Sequence, residues 1–143
     1  MDESFDLSRF LPYMLDRAAE ASSREFEARY RARYGMRRTE WRVLFHLGLY
    51  GPLTAVAICR RAGIHKTKVS RAVAALEAKR FLLREVDASD RRSEILSLSR
   101  RGRAVYDDLR GEAERFDARL AEALGPDESE ALRQSLSRIA GLG

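Results

Sequence analysis

The stretch Ala55–Ala74, AVAICRRAGIHKTKVSRAVA, decides how the rest of the chain is read. Cys59 offers a small side chain, Gly63 follows four residues on, and the β-branched Val69 comes six after that. Ile58, Ala62, Ile64 and Ala72 supply apolar positions between and beyond them. With this spacing, two short helices joined by a glycine turn bury one shared seam. The small residue lets the helices approach, and glycine takes the left-handed conformation that ends the first of them. Together these requirements describe a helix-turn-helix, and make duplex DNA the leading partner to expect.

Thr54 is placed to cap the first of the two helices, and the second runs from about His65 to Lys79. On a helical wheel Val69, Ala72, Val73 and Leu76 fall on one side, where they face a core. Opposite them lie Thr67, Arg71, Ala74 and Ala78, flanked by Lys68, Ser70 and Lys66. This outer face is small at its centre apart from Arg71, so the helix can sink into a major groove and present one long guanidinium. The lysines of this arginine-rich chain all lie here, at 66, 68 and 79, and an ammonium suits phosphate as a point charge.

After Lys79 the pattern turns extended: Phe81–Val86 and Ser93–Leu98 read as strands, and Asp87-Ala88-Ser89-Asp90-Arg91-Arg92 between them has turn chemistry. A hairpin in this place is a wing. Its tip carries Arg91 and Arg92, which fit a narrow minor groove, and Asp90 is placed to hold a neighbouring arginine by a charge-assisted bond.

Further out, Ser8–Tyr34 reads as a long helix with Phe10, Leu11, Met14, Leu15, Ala18, Phe26 and Tyr30 along a stripe, stopped by Gly35. Thr39 is the expected cap of a second helix bearing Trp41, Leu44, Phe45 and Leu47, which ends before Gly51-Pro52. Beyond Ser99, Val105, Leu109, Ala113, Phe116, Leu120 and Leu124 recur at threes and fours. A break at Gly125-Pro126 then starts a terminal helix marked by Leu132, Leu136 and Ile139. These outer helices are long for covering one small domain, and bury their stripes most easily against a second copy of the chain. The fold class is therefore mostly α with a small β-wing. A winged helix-turn-helix part, about residues 36–101, is flanked by dimerisation helices at about 6–34 and 102–143 of a single chain, 1–143.

At 143 residues and 45% hydrophobic content the chain supports one domain with helical additions and a real core. No apolar run is long enough to span a bilayer, and Met1–Asp6 is acidic rather than a secretory leader, so a cytoplasmic protein without membrane contact is expected. The single cysteine excludes an internal disulfide and a multi-cysteine metal site. The net charge of +5 is unevenly spread. From Cys59 to Arg103 there are 13 Lys and Arg against 5 Asp and Glu, a balance of +8 that leaves −3 elsewhere. A charged face alone is commonly just a solvated one, but here the basic segment coincides with the helix and hairpin.

The order helix, helix, helix-turn-helix, wing, long helix, short helix resembles the MarR family of bacterial winged-helix regulators. The most specific match is local: HKTKVSRAVAALEAKRFLLREVDASDRRSEILSLSRRGRAVYDDL, with Asp90-x-Arg92, Leu96-x-Leu98-Ser99 and then Gly102. The resemblance implies a homodimer joined through its terminal helices and binding a near-palindromic operator. It implies that Thr67, Ser70 and Arg71 face bases, that Lys66 and Lys68 flank them at phosphates, and that Arg92 enters the minor groove with Asp90 as its partner. Two positions depart from the family pattern. His65 stands where Ser or Asp more usually caps, and Glu94 puts an acid in the second wing strand.

The same resemblance implies a repressor relieved by a small ligand, such as an aromatic acid. Tyr13, Met14, Trp41, Arg42 and His46 are candidate lining for its pocket, although an aromatic at helical spacing is more often core. Cys59, in the small position of the helix-turn-helix, reads as a packed and inert thiol. His46 and His65 lie far apart without clustered partners, so no metal or other cofactor is expected. Nothing in the sequence has the pattern of an enzyme: there is no Gly-rich phosphate loop, and no Cys/His or Ser/His/Asp arrangement. Two alternatives stand beside this reading. One is a winged helix that binds protein without specific DNA binding, which calls for an apolar outer face on the helix after Gly63. The other is a regulator without a small-molecule effector.

Overall fold

In the computed structural model, which describes residues 4–142, Pro12 sets where the first long helix begins. A helix started at Ser8 would carry proline in its interior, without an N–H and against the preceding turn. Instead Leu7–Arg9 form a separate 3-10 turn, capped by the Asp6 carboxylate on the Ser8 N–H at 3.0 Å. The helix proper, α1, runs Leu11–Tyr34 with proline in its first turn, three residues later than the hydrophobic stripe suggests. Gly35 ends it with φ 64, as expected. Met1, Asp2 and Glu3 of the acidic start, and Gly143 of the expected C-terminal part, lie outside the described residues.

The second helix, α2, spans Arg38–Tyr50, and its cap is not Thr39. The Arg37 N–H donates to the Glu40 carboxylate at 3.0 Å, so an acid in the first turn reaches back to the residue before the helix. Next comes a strand too short to leave a periodic signal, β1 (Leu53–Thr54). It leads directly into α3 (Ala55–Ala62) and, past Gly63, α4 (Lys66–Ala78). The hairpin strands are β2 (Leu82–Val86) and β3 (Glu94–Leu98), each one residue shorter than expected at its start. All three strands form one antiparallel sheet in the order β1-β3-β2, with Leu53 opposite Leu96 and Arg84 opposite Leu96 on the other side.

Helix α2 packs on α3 and α4, and α4 packs on β2. Val43, Leu44, Leu47, Ile58, Val69, Val73 and Leu76 are buried there, joined by Leu82 and Leu96 from the sheet. Helix α5 follows over Arg100–Leu124, and α6 over Pro126–Ala140 with Pro126, Asp127 and Glu128 in its first turn. The acids sit at the positive end of the helix dipole. The chain divides into two compact units, Met1–Tyr106 and Asp107–Gly143. Within the second, Arg133 of α6 pairs with Asp117 of α5 at 2.8 Å. No helix among the described residues is long and apolar enough to cross a membrane.

Candidate nucleic-acid interface

Both ends of α3 close as its sequence requires. The Thr54 hydroxyl accepts from the Ala57 N–H at 3.2 Å, and Gly63, at φ 65, donates its N–H to the Cys59 carbonyl at 2.9 Å. Ile58 is fully buried, whereas Cys59, a step further round the helix, is half-buried and not the enclosed packing residue that the spacing suggests. Arg42 of α2 donates to the Ala62 carbonyl at 2.8 Å, satisfying an end of α3 from outside.

His65 does the work of the missing Ser or Asp. Its Nδ1 accepts from the Thr67 N–H at 3.2 Å, and α4 starts at the next residue. Val69, Ala72, Val73 and Leu76 turn inward, while Lys66, Thr67, Lys68, Ser70, Arg71, Ala74 and Ala78 are all exposed. The outer face is thus polar and basic around the small residues Ala74 and Ala78.

The far end of α4 is clamped to the start of α5. Arg80 takes a left-handed conformation, φ 66, which directs the Phe81 N–H back to the Leu76 carbonyl at 3.0 Å. The Ser99 hydroxyl donates to the Arg80 carbonyl at 2.7 Å and accepts from the Gly102 N–H at 3.0 Å, while the Ser99 N–H donates to the Phe81 carbonyl at 3.0 Å. Gly102 lies so close to that carbonyl that a side chain there has no room.

At the wing tip the Ser89 N–H and hydroxyl both donate to the Asp87 carboxylate, at 3.0 and 2.7 Å, and hold its pKa below the ordinary carboxylate range. The Asp87 N–H closes the loop onto the Ser93 carbonyl at 3.0 Å. Asp90 engages Arg92, accepting from its N–H at 3.0 Å and from its Nε at 3.5 Å. The Arg92 side chain is nevertheless 94% exposed, and Arg91 beside it is exposed too. Glu94 does not disturb the wing, because Arg84 of β2 donates to it at 3.1 Å.

Two clefts flank α4. One, of about 410 Å³, is bordered by Thr54, Ser70, Val73, Arg84, Arg92 and Glu94, so it joins the Ser70 flank of α4 to the wing tip. The other, of about 470 Å³, is bordered by Arg37, Glu40, Lys68, Arg71 and Lys79. Lys79 is committed there to buried Glu40 at 2.9 Å, which leaves Arg37 beside Lys68 and Arg71 as a cation the sequence reading missed. The Arg37-Arg38 pair at the start of α2 was its only trace in the sequence.

The five candidate ligand residues are not gathered into either cleft. Trp41 stacks edge-on in an aromatic cluster, its ring centroid 5.4 Å from Phe26 and 5.0 Å from Phe45, with Tyr30 at 5.9 Å. Arg42 serves α3, and His46 Nδ1 lies 2.6 Å from the Arg42 carbonyl. Tyr13 and Met14 are exposed on α1.

The family model described as MarR family matches residues 34–93, the segment from the end of α1 to the wing tip. The HTH-type transcriptional regulator YwaE of Bacillus subtilis (strain 168) is 25% identical over 126 residues, covering 88% of this chain and 74% of that protein. Among solved structures, the transcriptional repressor CouR bound to a 23-mer DNA duplex is 30% identical, with a TM-score of 0.85 and coverage of 98% and 99%. BpsR of Bordetella bronchiseptica, whose DNA binding is regulated by 6-hydroxynicotinic acid, has a TM-score of 0.87 and coverage of 96% and 97%. At 22% identity its likeness is one of fold.

Proposed function

The chain belongs to the MarR family of transcriptional regulators, and from that premise we propose that it is a homodimeric repressor that grips duplex DNA with α4 and the wing. One observation carries this reading: Ser70 on the exposed side of α4 and Arg92 at the wing tip border one cleft, while Lys68 and Arg71 border the cleft on the other flank of the same helix. Arg71 reads a base edge from the major groove, with Thr67 and Ser70 beside it. Lys66 and Lys68 seat phosphates, and Arg37 joins them across the second cleft. Arg92, oriented by Asp90 and accompanied by Arg91, enters the adjacent minor groove, where narrow A·T-rich sequence concentrates negative potential. The DNA-bound state of CouR supports this part.

Dimerisation is proposed from exposed apolar side chains at both ends of the chain: Phe10, Leu11 and Met14 on one side, Leu132, Leu136 and Ile139 on the other. Two copies present two α4 helices to a near-palindromic operator with half-sites roughly 10 bp apart. Relief by an aromatic acid is the reading that BpsR's regulation suggests, with 6-hydroxynicotinic acid as a first ligand to try. Selection of duplexes from a random pool by the purified protein, followed by titration against salt, tests the whole. Enriched sequences with two-fold symmetry and a steep salt slope are expected. Recovery of an unenriched pool would sink the reading.

A further inference from the structure

Acids are out of place beside a surface that meets phosphate, yet Glu77 on α4 and Glu94 on β3 stand there with about half of each side chain exposed, 47% and 49%. Both are held by one residue. Arg84 of β2 donates from Nε to Glu77 at 3.0 Å and from Nη1 to Glu94 at 3.1 Å, a single guanidinium spanning the helix and both wing strands. Its place in the strand explains why a bridge is needed. Leu82, Arg84 and Val86 alternate along the same face of β2; Leu82 is buried, but Val86 is 63% exposed. On β2 apolar packing stops at Leu82, and on β3 at Leu96, which is buried directly opposite Arg84. At that outermost anchored rung, Arg84 is the polar tie from the wing to α4.

We propose that Arg84 is a positioning residue, which through Glu77 and Glu94 sets the angle of the wing against α4 and thereby the separation of Arg71 and Arg92. This rests on the DNA-binding reading above. A direct phosphate contact is the competing role for an arginine here, but the guanidinium is engaged on two sides, and the triad as a whole carries net negative charge. The acids are then kept for geometry, at an electrostatic cost to DNA binding.

That cost gives the test its sign. On a duplex selected from a random pool by the wild-type protein, Arg84→Met and Glu77→Gln should each lower affinity about three- to fivefold, the upper end of what breaking partly exposed ion pairs costs. Removing an acid by Glu77→Gln would tighten binding if charge alone mattered, so a loss marks positioning. Arg84→Lys, which keeps the charge, should recover part of the affinity. Tighter binding by Glu77→Gln, or a salt slope reduced by about one in Arg84→Met, would identify Arg84 as a phosphate contact and overturn the proposal.

A second readout needs no DNA. Amide ¹⁵N relaxation on the free protein should show Arg91 and Arg92 more mobile in Arg84→Met than in wild type, with the α4 amides unchanged; equal mobility in both would overturn it. If the wild-type protein selects no duplex but the wing loosens, the bridge stands and the DNA reading falls.

Discussion

At Gly102 the Phe81 carbonyl occupies the space a Cβ would need, and that carbonyl is fixed because it also accepts from the Ser99 N–H. Backbone cannot give way as the end of a flexible side chain can. Gly102→Ala should therefore destabilise the protein by about 2–3 kcal/mol, at the upper end of what overpacking costs. Urea unfolding checks this, and an unchanged midpoint would show that the junction yields. Arg71 is the opposite kind of residue, exposed and with nothing to lose in the fold. Arg71→Ala should leave the unfolding midpoint unchanged, cost about 1–3 kcal/mol on the selected duplex, and relax preference at one base position. Equal loss on selected and random duplex would reduce it to a phosphate contact. The sequence showed Arg71 on the outer face, because helical period and burial agree along α4. It did not show why position 102 is glycine, since the close neighbour, Phe81, lies on the far side of the whole hairpin in sequence.

Elements were legible where local rules act alone. Thr54, Gly63 and the hairpin turn obey capping and turn chemistry, and the structure has them where the pattern put them. The start of α2 was missed because two side chains competed for one helix end, and Glu40, reaching back to the Arg37 N–H, prevailed over Thr39. Strand β1 was missed because two residues carry no period; it exists only through its pairing with β3. The Arg84 bridge was invisible for the same reason, as its partners lie 7 and 10 residues away on different elements.

The wing tip makes a pH prediction of its own. The Ser89 bonds depress the Asp87 pKa in the folded state, so their stabilisation is complete above the ordinary carboxylate range and is lost as pH falls below it, through the depressed value. The Ser89 amide resonance should move in that acidic window, while neutral to mildly alkaline pH leaves the tip unchanged. A midpoint at or above the ordinary carboxylate value would contradict the hydrogen bonds that the turn rests on.

Taken whole, the chain leaves apolar side chains uncovered on α1 and α6, with Leu11 67% and Ile139 63% exposed. Sedimentation at micromolar concentration should give a dimer, and Leu136→Asp with Ile139→Asp should shift it toward monomer by setting charge into the joint. A wild-type monomer would remove the symmetric operator from the account. The sequence pattern carried this expectation because a stripe longer than its own domain can cover implies a partner. Which residues meet across that joint is set by the second copy, which no single-chain pattern encodes.

Hydroxyl-radical footprinting on the selected duplex tests the two-element grip most directly. Wild-type protein should protect the strands edging a major groove and, beside it, a minor groove, repeated once about 10 bp away by the symmetry mate. Arg92→Ala should erase the minor-groove protection and leave the major-groove edges covered. A wild-type footprint without the minor-groove protection, or one that Arg92→Ala leaves intact, would contradict the claim that helix and wing hold neighbouring grooves together.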